Sequence, residues 1–228
     1  NLSKQKKITL LILFILSITY FVIFIPVNSS SSEGGSVFSI FSIDENATYP
    51  RVAKMLKGGK NIHELWGNLI IYSDYHYGYP FYFLSMLVLL PRRILLGDAF
   101  FADKVTNIFI LRQMINVLPI IFAAVILVFY KTQFRHVFQS IFLFLLFLIL
   151  PSVVRSNIWW WHPDSLTFLF IALTFFFLQK DDYQLDKNFY LSAAMCGLAT
   201  GTKLLGVFFF LTIPVYLALA HFQHSVNW

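Results

Sequence analysis

The residues that could do chemistry in this chain are few, and they stand where a purely structural membrane helix would not need them. Asp44 and Glu45 are adjacent carboxylates in Ser42-Ile43-Asp44-Glu45-Asn46, soon after an apolar run. One of such a pair could take a proton from an attacking hydroxyl, or both could bind a cation. The same residues also read as a solvated loop or a helix cap, which aspartate commonly provides. A second acidic position, Asp164, follows Trp159-Trp160-Trp161-His162-Pro163 and heads another apolar run. Tryptophans in that setting anchor at membrane interfaces, and Asp164 could simply cap the helix that begins at Ser165. Two cations, Arg112 and Lys203, sit inside apolar stretches. Charge at membrane depth is costly and usually faces a cavity or a partner. Lysine meets phosphate as a point charge and arginine as a bidentate fork, although either side chain could also snorkel to the interface. Carboxylates and cations meeting beside a membrane surface suit a lipid substrate that carries phosphate.

Composition says what must hold these groups in place. Of 228 residues, 58% are hydrophobic, 12% are charged and 27 are Phe; the mean hydropathy is +0.70. A soluble domain carries roughly a quarter charged residues. So little charge cannot cover a water-facing surface of this size, and the surrounding solvent is lipid. A cytosolic enzyme, a secreted domain, a disordered chain and an ordinary nucleic-acid binder are excluded. The net charge of +6 suits anionic lipid surfaces and the basic excess of cytoplasmic loops. Cys196 is the single cysteine, so an internal disulfide and a cysteine metal cluster are excluded as well.

The fold class is therefore an all-α polytopic membrane protein. The pattern predicts one transmembrane domain over 1–228 with spans near 8–27, 105–130, 137–154, 158–178, 189–203 and 204–220. Lys4, Lys6 and Lys7 precede the first span and put the N-terminus in the cytoplasm. That run is too long for a signal peptide and lacks a small-residue cleavage site. Residues 28–104 form an external loop. Within it, 50–57 reads as a short helix with Pro50 in its first turn and Arg51, Lys54 and Lys57 on one face. Such a helix would lie on the membrane with its cations toward phosphates, or present a merely solvated basic face. Pro80 and Pro91 bracket a ten-residue apolar stretch followed by Arg92-Arg93, which makes 81–96 an interfacial or re-entrant helix rather than a span. The last two spans cannot be one straight helix, and Gly201, Lys203 and Gly206 mark the break. In this topology Lys131, Arg135, Lys180 and Lys187 join the N-terminal lysines inside, leaving Arg155 in a short external loop. Asn28-Ser29-Ser30 and Asn46-Ala47-Thr48 match the short glycosylation sequon. The chain starts without Met and stops at Asn227-Trp228 with no closing element, so it reads as part of a longer protein, truncated at its C-terminus.

The order of these motifs resembles the GT-C superfamily of integral-membrane glycosyltransferases, in particular the branch of protein O-mannosyltransferases and lipid A aminoarabinose transferases. The resemblance runs through one opening span, the acidic pair Asp44-Glu45, and the aromatic-proline entry Tyr77-Gly78-Tyr79-Pro80-Phe81-Tyr82. It continues through Leu111-Arg112-Gln113-Met114-Ile115-Asn116, His162-Pro163-Asp164-Ser165-Leu166, and Gly197-Leu198-Ala199-Thr200-Gly201-Thr202-Lys203. It implies a GT-C-like helix bundle whose external first loop carries juxtamembrane helices. The implied activity is inverting transfer of a sugar from a polyprenyl or dolichyl phosphate to an acceptor on the outer or lumenal face. On that resemblance Asp44 matches the catalytic base, with Glu45 beside it, while Arg112 and Lys203 match phosphate contacts and Asp164 the second acidic position. The candidate substrate-binding set is Asp164, His162, Lys203, Arg112, Arg51 and Tyr79. Family members are usually about twice this long, and close relatives carry Lys-Pro-Pro or His-Pro-Pro where this chain has Gly78-Tyr79-Pro80.

The expected partners are a lipid-linked sugar phosphate, membrane lipids, and an acceptor that is a protein, a lipid or a glycan. A divalent cation would find oxygen donors in Asp44, Glu45 and Asp164, although no spacing demands one. The expected location is the cytoplasmic membrane or the endoplasmic reticulum. The alternative is a non-catalytic membrane subunit of a larger complex that keeps a GT-C-like shell. A transporter would need repeat symmetry between two halves, which the sequence lacks.

Overall fold

The computed structural model describes residues 3–30, 42–70, 77–157 and 160–226, and every regular element among them is helical. Helix α1 (Lys4–Ser30) is followed by α2 (Ser42–Leu56), α3 (Ile62–Ile70) and α4 (Tyr79–Leu96). Then come α5 (Lys104–Leu111), a π-helical segment (Arg112–Val117) and α6 (Leu118–Thr132), which run on as one rod. The chain continues through α7 (Val137–Leu148), α8 (Pro151–Ser156), α9 (Asp164–Asp181), α10 (Lys187–Thr202), α11 (Val207–Phe210) and α12 (Thr212–Val226). Three stretches are long and apolar enough to cross a membrane: Lys4–Ser29, Lys104–Thr132 and Leu204–Gln223. The first and last expose many Phe, Leu and Ile side chains, as lipid-facing surfaces do, while the middle one is largely buried among the other helices.

Several expected boundaries shift, each for a local reason. The expected span 137–154 divides in two at Leu150-Pro151. Proline has no N–H to continue α7 but fits the first position of α8. At 12 residues α7 reaches only about 18 Å. The expected helix 158–178 starts at Asp164 instead, after Pro163, and extends to Asp181. The helix expected over 50–57 begins at Ser42, so Asp44 and Glu45 occupy its first turn, and Pro50 lies inside it. Pro50 offers no N–H to the Asn46 carbonyl one turn earlier, and beside that gap the Arg51 guanidinium donates to the Ala47 carbonyl. The apolar face of α2 does not rest on a membrane. Tyr49, Val52, Met55 and Leu56 are buried in one core with Phe81, Tyr82, Met86 and Leu89 of α4. Helix α4 itself runs unbroken through Pro91 and stops where Gly97 turns to a positive φ of 55°. The break after α10 falls where it was expected: Lys203 is extended, with φ −147° and ψ 133°.

The helix ends sort the charges. Thr9 of α1 reaches the Phe134 carbonyl at 3.4 Å, and Phe129 of α6 meets Phe176 of α9 with ring centroids 5.8 Å apart. Lys4, Lys6, Lys7, Lys131, Arg135, Lys180 and Lys187 therefore share one end of the bundle. Asn28, Glu45, Arg112 and Trp161 meet toward the other.

At the basic end the α9–α10 turn is held by Asp181, which is 1% exposed. Its carboxylate accepts from the backbone N–H of Leu185, Asp186 and Phe189 at 3.0, 2.8 and 3.2 Å, and from the Tyr216 hydroxyl at 2.9 Å. These bonds hold Asp182, Tyr183 and Leu185 at positive φ, a region that residues with a Cβ rarely adopt. Burial alone would raise the Asp181 pKa, but the Tyr216 and backbone bonds outweigh it and lower the value below 3.8. A lowered folded-state pKa gives stability that is present above the unfolded value and lost as pH falls through the folded one. Thermal unfolding of the purified protein should accordingly weaken in acid. Asp181→Asn should start less stable at neutral pH and lose that part of the acid dependence. Parallel pH profiles for the two proteins would contradict the assignment.

Candidate functional site

Neighbouring residues on a helix point about 100° apart, so α2 sends its two carboxylates in different directions. Glu45 turns inward and is 2% exposed, as is Arg112. Arg112 grips it with two bonds, Nε to Oε1 at 2.7 Å and NH2 to Oε2 at 2.5 Å, and gives NH1 to the Asn28 carbonyl at 3.1 Å. The Trp161 backbone N–H also donates to Glu45 Oε1, at 2.7 Å. One buried ion pair thus ties together the end of α1, the start of α2, the long rod and the segment before α9. Arg112 does not snorkel, because its fork is fully occupied inside the protein.

The π-helical segment lets a second side chain do similar work. Pro119 supplies no N–H to the turn before it, which relaxes the α-helical repeat there. Asn116, one turn beyond Arg112, accepts from the His162 backbone N–H at 3.2 Å and donates to the Trp160 carbonyl. Gln113 and Asn28 bond each other at 3.0 Å, and Asn28 reaches the Asn157 carbonyl at 3.0 Å. Asn28 is fully buried, so its sequon match is not an accessible acceptor. Asn46 is exposed, yet it lies in α2 and accepts from Lys104 at 2.5 Å.

Asp44 turns the other way and is partly exposed. The Tyr77 hydroxyl donates to its Oδ2 at 3.4 Å, and the Tyr77 ring meets His162 edge-on, with centroids 4.9 Å apart and planes at 84°. His162 Nδ1 lies 3.0 Å from Asp164 Oδ2, and Lys203 pairs with Oδ1 of the same carboxylate. Asp44, Tyr77, His162, Asp164 and Lys203 thus form a chain of contacts contributed by four separate stretches of sequence. His162 is nearly buried, while the Asp164 side chain keeps 42% of its exposure and Lys203 keeps 23%. Burial, with the nearby charges of Asp44 and Asp164, pushes the Tyr77 hydroxyl well above its usual pKa. It stays protonated at any working pH and donates to Asp44 throughout.

Two glycines bring the parts this close. The Gly78 N–H donates to the Thr202 carbonyl at 3.1 Å, and a Cβ on Gly78 would fall inside the Gly201 carbonyl. Backbone lies against backbone there, which sets Lys203 beside Tyr77. Comparison with protein-family models, with curated proteins and with solved structures found no match to this chain. The chemistry of the site therefore rests on its own geometry.

Not every predicted residue joins the group. Tyr79 donates to the Leu69 carbonyl at 3.3 Å and stacks on Phe83, so Tyr77 is the tyrosine beside Asp44. Arg51 bonds back to its own helix at Ala47. Among the described residues no three His, Cys, Asp or Glu side chains converge as a metal set would, so Asp44, Glu45 and Asp164 do not form one. Asn116 and the Trp161 backbone were not singled out in the sequence. The only signal for Asn116 was its spacing of four from Arg112, which puts both on one face. Away from this cluster, a groove of 670 Å³ runs between α1 and the long rod, lined by Leu13, Phe14, Phe21, Met114, Ile121 and Phe122 among others. It is apolar, and none of Asp44, Tyr77, His162, Asp164 or Lys203 lines it.

Proposed function

We propose that this chain is the membrane-embedded catalytic part of an inverting glycosyltransferase. Its sugar donor would be a polyprenyl- or dolichyl-phosphate sugar, and Asp44 its base. One observation carries this reading: a partly exposed Asp44 shares one cluster with the Asp164–Lys203 pair, joined through Tyr77 and His162. The cluster lies toward the end of the bundle opposite Lys4, Lys6, Lys7 and the basic residues of the short turns, Lys131, Arg135, Lys180 and Lys187. The positive-inside rule then favours an extracytoplasmic site.

In this mechanism Asp44 takes the proton of the acceptor hydroxyl as its oxygen attacks the anomeric carbon. The bond from that carbon to the carrier phosphate breaks on the opposite face, and the electron pair leaves with the phosphate. The phosphate passes from a diester monoanion to a monoester dianion. Lys203, held in place by Asp164, stands ready for that growing charge. Tyr77 orients the Asp44 carboxylate by its hydrogen bond. Glu45 and Arg112 hold α2 at its angle rather than touch substrate, because each is already occupied by the other.

The test is the Asp44→Asn variant, assayed in membranes with lipid-phosphate sugars. It should lose transfer by several orders of magnitude while inserting and folding normally. Undiminished transfer would overturn the assignment and leave the non-catalytic subunit as the better reading.

A further inference from the structure

Among the described residues, helix α3 is an amphipathic element whose apolar stripe the fold leaves largely open. Ile62, Leu65, Trp66, Leu69 and Ile70 recur at the spacing of a single helix face. Leu69 packs against the core of α2 and α4, but Ile62, Leu65, Trp66 and Ile70 are 74%, 44%, 52% and 51% exposed. The helix is short and has no buried residue, so packing within the protein does not account for its apolar face. Its placement is nevertheless defined. Asn68 Nδ2 donates to the Gly58 carbonyl at 2.5 Å, and Tyr79 of α4 donates to the Leu69 carbonyl at 3.3 Å. The polar side of the stripe is equally clear, since His63, Glu64 and Asn68 fall between the apolar positions.

We infer that α3 docks its exposed stripe into the surface of the membrane that the protein's own spans cross, and that the lipid headgroups there are anionic. Two observations select this occupant. Exposed apolar side chains around a tryptophan are the composition of a helix lying at the boundary between headgroups and acyl chains. Lys54, Lys57 and Lys60 are also exposed immediately before α3, and none of their ammonium groups pairs with a carboxylate among the described residues; Glu64 accepts from the Lys60 backbone N–H instead, at 2.9 Å. Cations next to an inserted apolar stripe favour negatively charged lipid. The interfacial role expected for 50–57 thus divides. Helix α2 contributes cations while its apolar face is spent on α4, and α3 contributes the inserting face. This inference does not depend on the glycosyltransferase reading.

The experiment uses the full chain in lipid nanodiscs, with Cys196 replaced by Ser or Ala and a nitroxide attached at Leu65→Cys or Glu64→Cys. The label at position 65 should be open to oxygen and several-fold less open than position 64 to a water-soluble nickel reagent. Adding phosphatidylglycerol to phosphatidylcholine should deepen it, and Lys54→Gln, Lys57→Gln and Lys60→Gln together should remove that increment. Equal nickel access at 64 and 65 would overturn the inference, since the face would then be in water. Shielding of position 65 from both reagents would overturn it too, because a protein partner or a second copy would be the cover. Depth that ignores anionic lipid would overturn the headgroup assignment. Quenching by brominated lipids, compared with a Trp66→Phe variant that keeps Cys196, gives an independent reading. An unchanged signal in that variant would count against insertion.

Discussion

Arg112→Met should destabilise the protein by about 3–5 kcal/mol, the usual cost of leaving one member of a buried ion pair uncompensated. Glu45 would keep a carboxylate at 2% exposure with the Trp161 backbone N–H as the one remaining donor to it among the described residues. The Asn28 carbonyl would lose its bond from Arg112 as well. The companion double variant, Glu45→Leu with Arg112→Met, should recover much of that loss, because replacing a whole buried pair by apolar residues is often close to neutral. Thermal unfolding of the purified protein measures both. A single variant as stable as the parent would mean that the pair does not hold the fold. The double variant separates stability from function: with the pair gone, α2 loses the tie that fixes its angle. Transfer should then fall even where folding has recovered.

Gly78→Ala should be nearly as damaging, and for a purely steric reason. The added Cβ would meet the Gly201 carbonyl, and backbone cannot rotate away as a side chain can. The chain must separate there, breaking the Gly78–Thr202 bond and moving Lys203 away from Tyr77 and His162. Overpacking with a lost hydrogen bond should cost about 2–4 kcal/mol. Gly197→Ala is the control, since nothing lies within 4 Å of a Cβ at that position of α10, the helix that carries Gly201. It should be tolerated in a melting experiment. If the two variants melt alike, the close approach at Gly78 is not a constraint.

Some of this was legible in the residues themselves. Lipid as solvent, the helical class, the cationic end of the bundle and the break at Lys203 follow from composition, run length and charge placement, which are local or bulk properties. Asp44, His162, Asp164 and Lys203 were also visible as a group, because polar residues at apolar boundaries stand out wherever they fall.

Partnership was decided only by the tertiary structure. Adjacent carboxylates look equivalent along the chain, yet a turn of about 100° sends Glu45 inward and leaves Asp44 open. Which of them meets Arg112, 67 residues away, depends on how α2 docks on α4 and on the rod. Tyr77 outranks Tyr79 because a glycine contact between distant segments aims it at Asp44. The open stripe of α3 likewise shows itself only once the apolar face of α2 is seen to be covered. Sequence spacing determined which residues share a helix face; the docking of those faces, a sum of many long-range contacts, determined what each one touches.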